Sequence, residues 1–298
     1  MSELNIAVIG LPGKWSTEVL ADAVHVKTGR RTVVDMADVC LDLDTRQVRV
    51  GDINLSEFDA VIVKKISETY SPSTLDRLEI LRILEAQGVQ VFSGAENILR
   101  LINRLSCTVT LRNHDIPMPP TTITESIDEA VDAVKAYGET VFKPLYSTKA
   151  RGMCVIKDND NDAVLREEIE HFKAEHQVMY IQKKLSLPGK DLGMVFLGGE
   201  YLGTYARVAQ SDSWNTTINS GGKYEAYTPS DEIIELATRA QEPFNMDFTT
   251  VDVAESEIGP IVFEVSAFGG FRGAKEGIGI DTAKRYVDYV LEKLEATA

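Results

Sequence analysis

The chain is poor in cysteine and histidine. Cys40, Cys107 and Cys154 lie far apart with no CxxC pair, and the four histidines show no ligand spacing. These absences exclude a disulfide framework and a structural zinc site, and they make a cytoplasmic protein the expectation. Long apolar runs are missing as well: none approaches the ~18 residues of a membrane span. The stretch Ile6 to Leu11 has neither a basic flank nor a cleavage site, so it reads as a first strand and not as a signal peptide. Excess positive charge is also lacking. Lys and Arg total 31 against 46 Asp and Glu, a formal charge of −15. Such a chain repels phosphate backbones and anionic lipid, which argues against nucleic-acid and membrane partners but leaves room for a local basic pocket. No Cys-His or Ser-His arrangement offers a nucleophile.

What remains is an ordinary globular composition, 44% hydrophobic over 298 residues, enough for two domains or three small ones. Residues 4–9 read as a buried strand, followed by a glycine loop (Gly10 to Gly13) and an amphipathic helix from about Ser16. A hairpin is expected near Val48 to Ile53, and Ala60 to Val63 reads as a second apolar strand. Ser71-Pro72 starts a helix whose apolar face is Leu75, Leu78, Leu81 and Leu84, and Val89 to Phe92 is a third strand. This rhythm argues a small parallel α/β domain, residues 1–97. One long helix is expected from Ala95 to His114, with the stripe Ile98, Leu99, Ile102, Leu105 and Val109.

Residues 98–187 read as a compact α+β unit. Pro117 to Pro120 forces extended chain. Ser126 to Glu129 has the pattern of a capping box, and strands follow at 141–144, 153–156 and 178–182 around a charged helix near 162–176. Residues 188–298 hold a hairpin joined by Gly198-Gly199, a helix from Ser230, a second hairpin turning at Glu257 to Pro260, and a last helix after Asp281.

That second hairpin carries the strongest chemical signal. Side chains alternate along a strand, so Val251 and Val253 share one face and Asp252 takes the other. On the partner strand Phe263 and Val265 share one face, Glu264 and Ser266 the other. A hairpin centred on Ile258 sets Asp252 opposite Glu264, and a bulge would spoil that register. Carboxylates directly opposed repel unless a cation sits between them. Hard oxygen ligands at this spacing suit Mg²⁺ completed by substrate phosphates; the alternative is a solvated polar face. Five glycines between Gly269 and Gly279 read as a loop through which backbone amides approach a ligand. Lys143, Lys149 and Arg151, close together in so acidic a chain, suit a triphosphate cover, or solvated strand ends. The loop from Gly10 to Ser16 is not a P-loop: two residues separate its glycines, and Trp15 stands between Lys14 and Ser16. It could still hold an anion at the helix start.

At these residues the chain resembles ATP-grasp ligases of the RimK type, which add glutamate to a ribosomal protein and related acceptors. The likeness rests on Asn103 to Ser106 with Ile116 to Pro119, on Phe142-Lys143-Pro144, on Tyr180 to Leu185, and on Val251 to Val253 with Phe263 to Ser266 through Asp281. It implies a three-part ATP-grasp fold, α/β and α+β, with a C-terminal metal-binding domain. It also implies ATP with Mg²⁺, Mn²⁺ being the alternative ion. Arg104, Lys143, Lys149, Arg151, Gln182, Lys183, Lys184, Leu185 and Asp191 would hold the nucleotide, and Asp252, Glu264 and Ser266 the metal. Arg207 and Arg272 are the candidates for the acyl phosphate or the acceptor. The implied reaction joins a small-molecule or peptide carboxylate to an amine; the family is often homo-oligomeric. Departures stand beside the likeness: Ser266 replaces the usual Asn, Lys183 stands where a carboxylate is usual, and Arg272 and Lys275 where relatives often carry acid. Gly193 and the run Asn219 to Gly222 lack the basic residues that hold glutamate in some members. An ATP-binding non-ligase and an ATP-grasp kinase are the alternative readings. The phrases Gly13 to Glu18, Val63 to Ile66 and Lys143 to Lys149 further resemble the ATP-grasp member of bacterial grasp-and-kinase (GAK) gene systems.

Overall fold

The computed structural model describes residues 4–148, 150–159, 161–209 and 222–297. The expected strand–helix rhythm of the first ninety residues folds as a parallel sheet. Its strands are β1 (Ile6–Ile9), β2 (Thr32–Val34), β6 (Ala60–Val63) and β7 (Gln90–Phe92), in the order β2-β1-β6-β7. Helices α1 (Trp15–Thr28) and α2 (Pro72–Ala86) make the crossovers, and a three-stranded edge sheet of β3 (Cys40–Asp42), β4 (Gln47–Val50) and β5 (Ile53–Asn54) includes the expected hairpin. The carboxyl ends of parallel strands are where such sheets present ligand groups; here β6 runs directly into Lys64 and Lys65.

The single long helix is two. α3 (Ala95–Ile102) stops at Asn103, whose side chain accepts from the Leu105 and Ser106 amides (2.8 and 3.3 Å) and caps α4 (Arg104–Asn113). An Asn side chain competes with the helix for these amides, and here it wins. The change of axis breaks the expected stripe: Ile98 and Ile102 are buried as expected, but Leu99 and Val109 are exposed, and Leu101, Cys107 and Leu111 are buried in their stead.

The middle of the chain forms an antiparallel sheet, β10-β9-β11-β8, from β8 (Thr121–Thr124), β9 (Glu139–Lys143), β10 (Cys154–Lys157) and β11 (Met179–Lys183). β8 was not anticipated. Phe142 and Ile181 pair in the core with α5 (Ile127–Tyr137) and α6 (Asp162–Glu175). Alternation therefore turns Lys143, Tyr180 and Gln182 to the opposite face. The Ser126 hydroxyl accepts from the Glu129 amide at 3.3 Å, as its position demands.

The last sheet, β14-β13-β12-β15-β16, comprises β12 (Lys190–Leu197), β13 (Glu200–Val208), β14 (Lys223–Ala226), β15 (Phe248–Ser256) and β16 (Gly259–Ser266). One face, with Leu192, Met194, Val251, Val253, Val262 and Val265, joins a core with α7 (Asp231–Gln241). The glycine-rich stretch after Ser266 is a helix, α8 (Phe271–Ile278), and not a loop. Its glycines are there for packing: a Cβ on Gly273 or Gly277 would come within 2.4 or 2.7 Å of Tyr205. α9 (Thr282–Thr297) packs beside α1. Among the described residues, no helix is long and apolar enough to cross a membrane.

Candidate active site

The carboxylate pair is built by the feature expected to ruin it. The β15–β16 turn has two residues, Glu257 and Ile258, since Ser256 pairs with Gly259. Regular pairing from that turn would bring Phe263 opposite Asp252. A bulge intervenes between Asp252 and Val253, so that Val253 faces Val262 while Asp252 faces Glu264. One extra residue on one strand shifts everything beyond it by one step. Phe263 accordingly leaves the Val265 face, against expectation, and packs with Leu185, Ala254 and Ile261 on the face of Glu264. Ser266 lies farther along, opposite Thr250.

Asp252 is nearly buried, its side chain 16% exposed. Oδ2 lies 3.0 Å from the Arg207 guanidinium, and Oδ1 is buried with no hydrogen-bond partner among the described residues. Burial raises the Asp252 pKa and the neighbouring Glu264 adds to this, while Arg207 opposes it. Arg207 also donates to Asp191 Oδ2, from Nε at 2.9 Å and from the terminal nitrogen. Burial works against the Arg207 charge, but Asp252 and Asp191 more than offset it and raise its pKa well above the usual value.

The opposite wall comes from the central sheet and α4. Arg104 is 10% exposed and spreads its guanidinium over three acceptors: Pro144 O (3.2 Å), Glu264 Oε2 (3.1 Å) and Ser147 Oγ (3.3 Å). Its amide donates to Leu145 O at 3.0 Å, which fixes the start of α4 against the end of β9. Lys143 Nζ donates to Gln182 Oε1 at 2.5 Å and lies 5.4 Å from the Phe263 ring centre. Burial, and then Arg104, pulls the Lys143 pKa down to about 7. Gln182 passes its own amide hydrogens to Thr121 Oγ1 and Tyr180 OH.

The structure therefore brings Arg104, Lys143 and Gln182 to one wall, and Asp191, Arg207, Asp252 and Glu264 to the other. Leu185 lies between them, beside Phe263. Lys183 ends β11 and Lys184 follows it, their amides on Pro120 O and Glu139 O, and Lys184 Nζ is 3.0 Å from Glu139. Arg151 is on an exposed turn. Arg272 stands on the outer side of α8, half exposed, over the Trp15 ring and 3.7 Å from Glu276. Lys149 and residues 219–221 lie outside the described residues.

In the glycine loop before α1 the Gly13 amide donates to the chain's own Glu18 Oε1 at 2.6 Å. That bond, with Arg31 next, lowers the Glu18 pKa. Sequence reasoning passed over Lys64, which is 5% exposed and donates to Gly269 O at 2.8 Å. Its neighbour Lys65 donates to Tyr70 OH and lies over the Tyr70 and Phe268 rings. Their signal was positional: they follow an apolar parallel strand at its carboxyl end.

A family model for the RimK-like ATP-grasp domain matches residues 102–290. The chain belongs to that family. It is 26% identical to a tetrahydromethanopterin:alpha-L-glutamate ligase of Methanosarcina acetivorans, over 99% of both chains. Its fold matches the ATP-grasp ligase PsnB, solved with a minimal precursor, Mg and ADP. That match has a TM-score of 0.74 at 19% identity over 99% of both chains. It also matches the D-alanyl-alanine synthetase A of Vibrio cholerae O1, with a TM-score of 0.72 at 16% identity over 99% of both. The chain is thus an ATP-grasp enzyme of the carboxylate–amine ligase class, a class that uses ATP and Mg²⁺. The residues present fit such an ion. Asp252 Oδ1 is a buried, unpartnered carboxylate oxygen directly opposite a second carboxylate. Among the described residues no three His, Cys, Asp or Glu side chains form a metal cluster, so an ion held by these two carboxylates would take its other ligands from elsewhere, as Mg²⁺ does from substrate phosphates.

Proposed function

We propose that this enzyme activates a carboxylate with ATP and passes the acyl group to an amine. A carboxylate oxygen bonds to the γ-phosphorus as the bond to ADP breaks. The amine then bonds to the acyl carbon, phosphate leaves with that oxygen, and the amine loses a proton. Asp252 and Glu264 would hold Mg²⁺, which when bound neutralises phosphate charge. Ser266 stands nearby with a short hydroxyl where the family's third ligand is usually Asn. Arg104 and Lys143 face the same space and would draw the phosphates; Lys149 and Arg151 would close over them. Gln182 to Leu185 would border the base. Arg207, bonded to Asp191, and Arg272 would serve the acyl phosphate or the acceptor. Such catalysis is positioning and electrostatics, so no nucleophilic side chain is needed. The substrates would be small-molecule or peptide acids and amines; membership of the grasp-and-kinase branch and a homo-oligomeric state belong to the same proposal.

The observation that carries this reading is the bare Asp252 Oδ1 facing Glu264 beneath Arg104 and Lys143. Calorimetric titration of ATP with and without Mg²⁺ tests it: binding should strengthen with Mg²⁺ and lose that strengthening in Glu264→Ala. ATP turnover in that variant should vanish while the fold persists. Binding indifferent to Mg²⁺, or unchanged turnover, would reject the assignment.

Ser266 favours a second reading, an ATP-binding protein with a weakened metal site. ADP release in a screen of carboxylate and amine pairs decides against it; phosphate retained on the product would mark a kinase instead.

A further inference from the structure

Four residues form one row across the C-terminal sheet: Tyr205 pairs with Gly193, Gly193 with Asp252, and Asp252 with Glu264. All four present the same face. The Tyr205 ring does not stand away from the sheet but lies over Gly193. A Cβ there would sit 2.3 Å from the ring's Cζ and 2.5 Å from its hydroxyl oxygen. From above, α8 closes on the same side chain: a Cβ on Gly273 would reach the ring at 2.4 Å, one on Gly277 the Tyr205 Cβ at 2.7 Å, and one on Gly270 would be 3.8 Å from the hydroxyl. Gly273 and Gly277 are four apart and so share a helix face. Helices disfavour glycine, and two on one face are explained by what that face must clear.

Gly193 and Gly273, from two elements, thus make a slot that lays the ring along the row and brings its hydroxyl over Gly193, the residue paired with Asp252. Arg207 lies two residues farther along the same strand and Asp252 in the same row, so the charges of both act on the phenol. A ring needed only as core filling would be served by phenylalanine. Tyr205 is 3% exposed, yet its hydroxyl forms no hydrogen bond among the described residues. The fully enclosed unpartnered side-chain atoms among the described residues are Asp252 Oδ1 and Thr282 Oγ1; the Tyr205 hydroxyl is not enclosed in that way, so a ligand can reach it and accept its hydrogen bond. Burial raises the phenol pKa, so the group stays protonated and can donate.

We infer that the Tyr205 hydroxyl is a substrate-binding group, donating a hydrogen bond to an oxygen of the activated acyl group beside Asp252. The inference rests on the ligase reading above and adds to it a neutral donor at the acyl site, next to the cationic Arg207. It also gives Gly193 a role: the space for a side chain at 193 is filled by the ring of the neighbouring strand.

Acetyl phosphate, the smallest acyl phosphate, is the probe. It is titrated into the full-length protein holding Mg²⁺ and ADP, in wild type and in Tyr205→Phe, which removes only the hydroxyl and keeps the ring in its slot. The expected result is binding by wild type and about tenfold weaker binding by the variant, the loss of one hydrogen bond. Affinity for Mg-ADP and the melting temperature should not change. Equal affinity in the two proteins overturns the inference. So does a wild type that binds Mg-ADP but not acetyl phosphate, or a variant that loses melting temperature and keeps its affinity. Failure of wild type to bind Mg-ADP would instead overturn the ligase reading and this inference with it.

Discussion

Asp252 faces Glu264 because Phe263 is one residue more than a regular hairpin would hold. The bulge aims two groups at once: Glu264 toward Arg104, and the Phe263 ring under Lys143. Its consequence is two opposed carboxylates, of which Asp252 is the more buried.

Asp252→Asn should therefore separate function from stability. The amide keeps the shape but gives up the anionic oxygen, and Arg207 retains Asp191. Turnover should fall by about a hundredfold or more, the range for deleting one charge-stabilising group. The Mg²⁺ enhancement of ATP binding should disappear. Because burial of this carboxylate already opposes its ionised form, the melting temperature should hold or rise. Steady-state ADP release, calorimetry and thermal unfolding check the three parts; a marked fall in melting temperature would assign Asp252 to the scaffold.

Lys143 makes Mg-free ATP binding depend on pH. In the free protein its pKa is about 7, lowered by burial and by Arg104. Phosphate beside it favours the charged form and raises that pKa. ATP then binds the protonated protein, and above pH 7 binding must take up a proton. Affinity should fall by up to about tenfold per pH unit between pH 7.5 and 9, since one pKa unit is a tenfold change in the proton equilibrium. Lys143→Met should bind weakly and lose this slope. Titrations in two buffers of different ionisation enthalpy would count the proton; no uptake at pH 8 would remove Lys143 from the phosphate site.

Much of this was legible in the sequence, and the failures share a cause. Strand alternation placed Asp252, Glu264 and Lys143 on their faces because side-chain period is local. The turn at Glu257 to Pro260 was legible too, but a bulge depends on what each strand packs against. A pattern around Val262 and Phe263 does not show it. The glycines after Ser266 read as a loop because their reason, the Tyr205 ring, sits sixty-odd residues earlier in the chain. Ala95 to His114 read as one helix because its apolar residues continue in phase. The stop is made by the Asn103 side chain, a tertiary choice between cap and helix interior. The same residue's Nδ2 reaches Tyr146 OH at 3.1 Å, a contact no spacing shows.

Asn103→Ala should accordingly cost more than a surface change. It removes two accepted amide bonds at the start of α4, for a loss of about 1–2 kcal/mol in unfolding free energy. Arg104, the first residue of α4, would lose its fixed starting point, so the KM for ATP should rise while Asn103→Asp, which keeps the cap, restores much of the stability. Urea unfolding and ATP kinetics on both variants distinguish a cap from an incidental contact.

Lys64 gives the scaffold a pH dependence of its own. Its ammonium is buried at the junction of the first sheet and α8, over the Phe271 ring at 4.3 Å, with the Gly269 carbonyl as acceptor. Burial, and then the neighbouring Lys65, lower its pKa to about 7. The unfolded value lies near 10.4. Between the two, the unfolded chain binds the proton and the folded chain does not, so stability rises with pH through this window. Each such lysine contributes up to roughly 1.4 kcal/mol per pH unit. Below pH 7 both states are charged, and the full penalty of the buried charge is present. Lys143, with the same direction and a similar pKa, adds to the slope in the nucleotide-free protein. Lys64→Met should remove about half of the rise between pH 7.5 and 9.5 and stabilise the protein most at the acid end. Urea unfolding at four pH values measures both. A wild type whose stability falls over that range, or a Lys64→Met that keeps the full slope, would show that Lys64 remains charged in the fold and is answered by a group other than the Gly269 carbonyl.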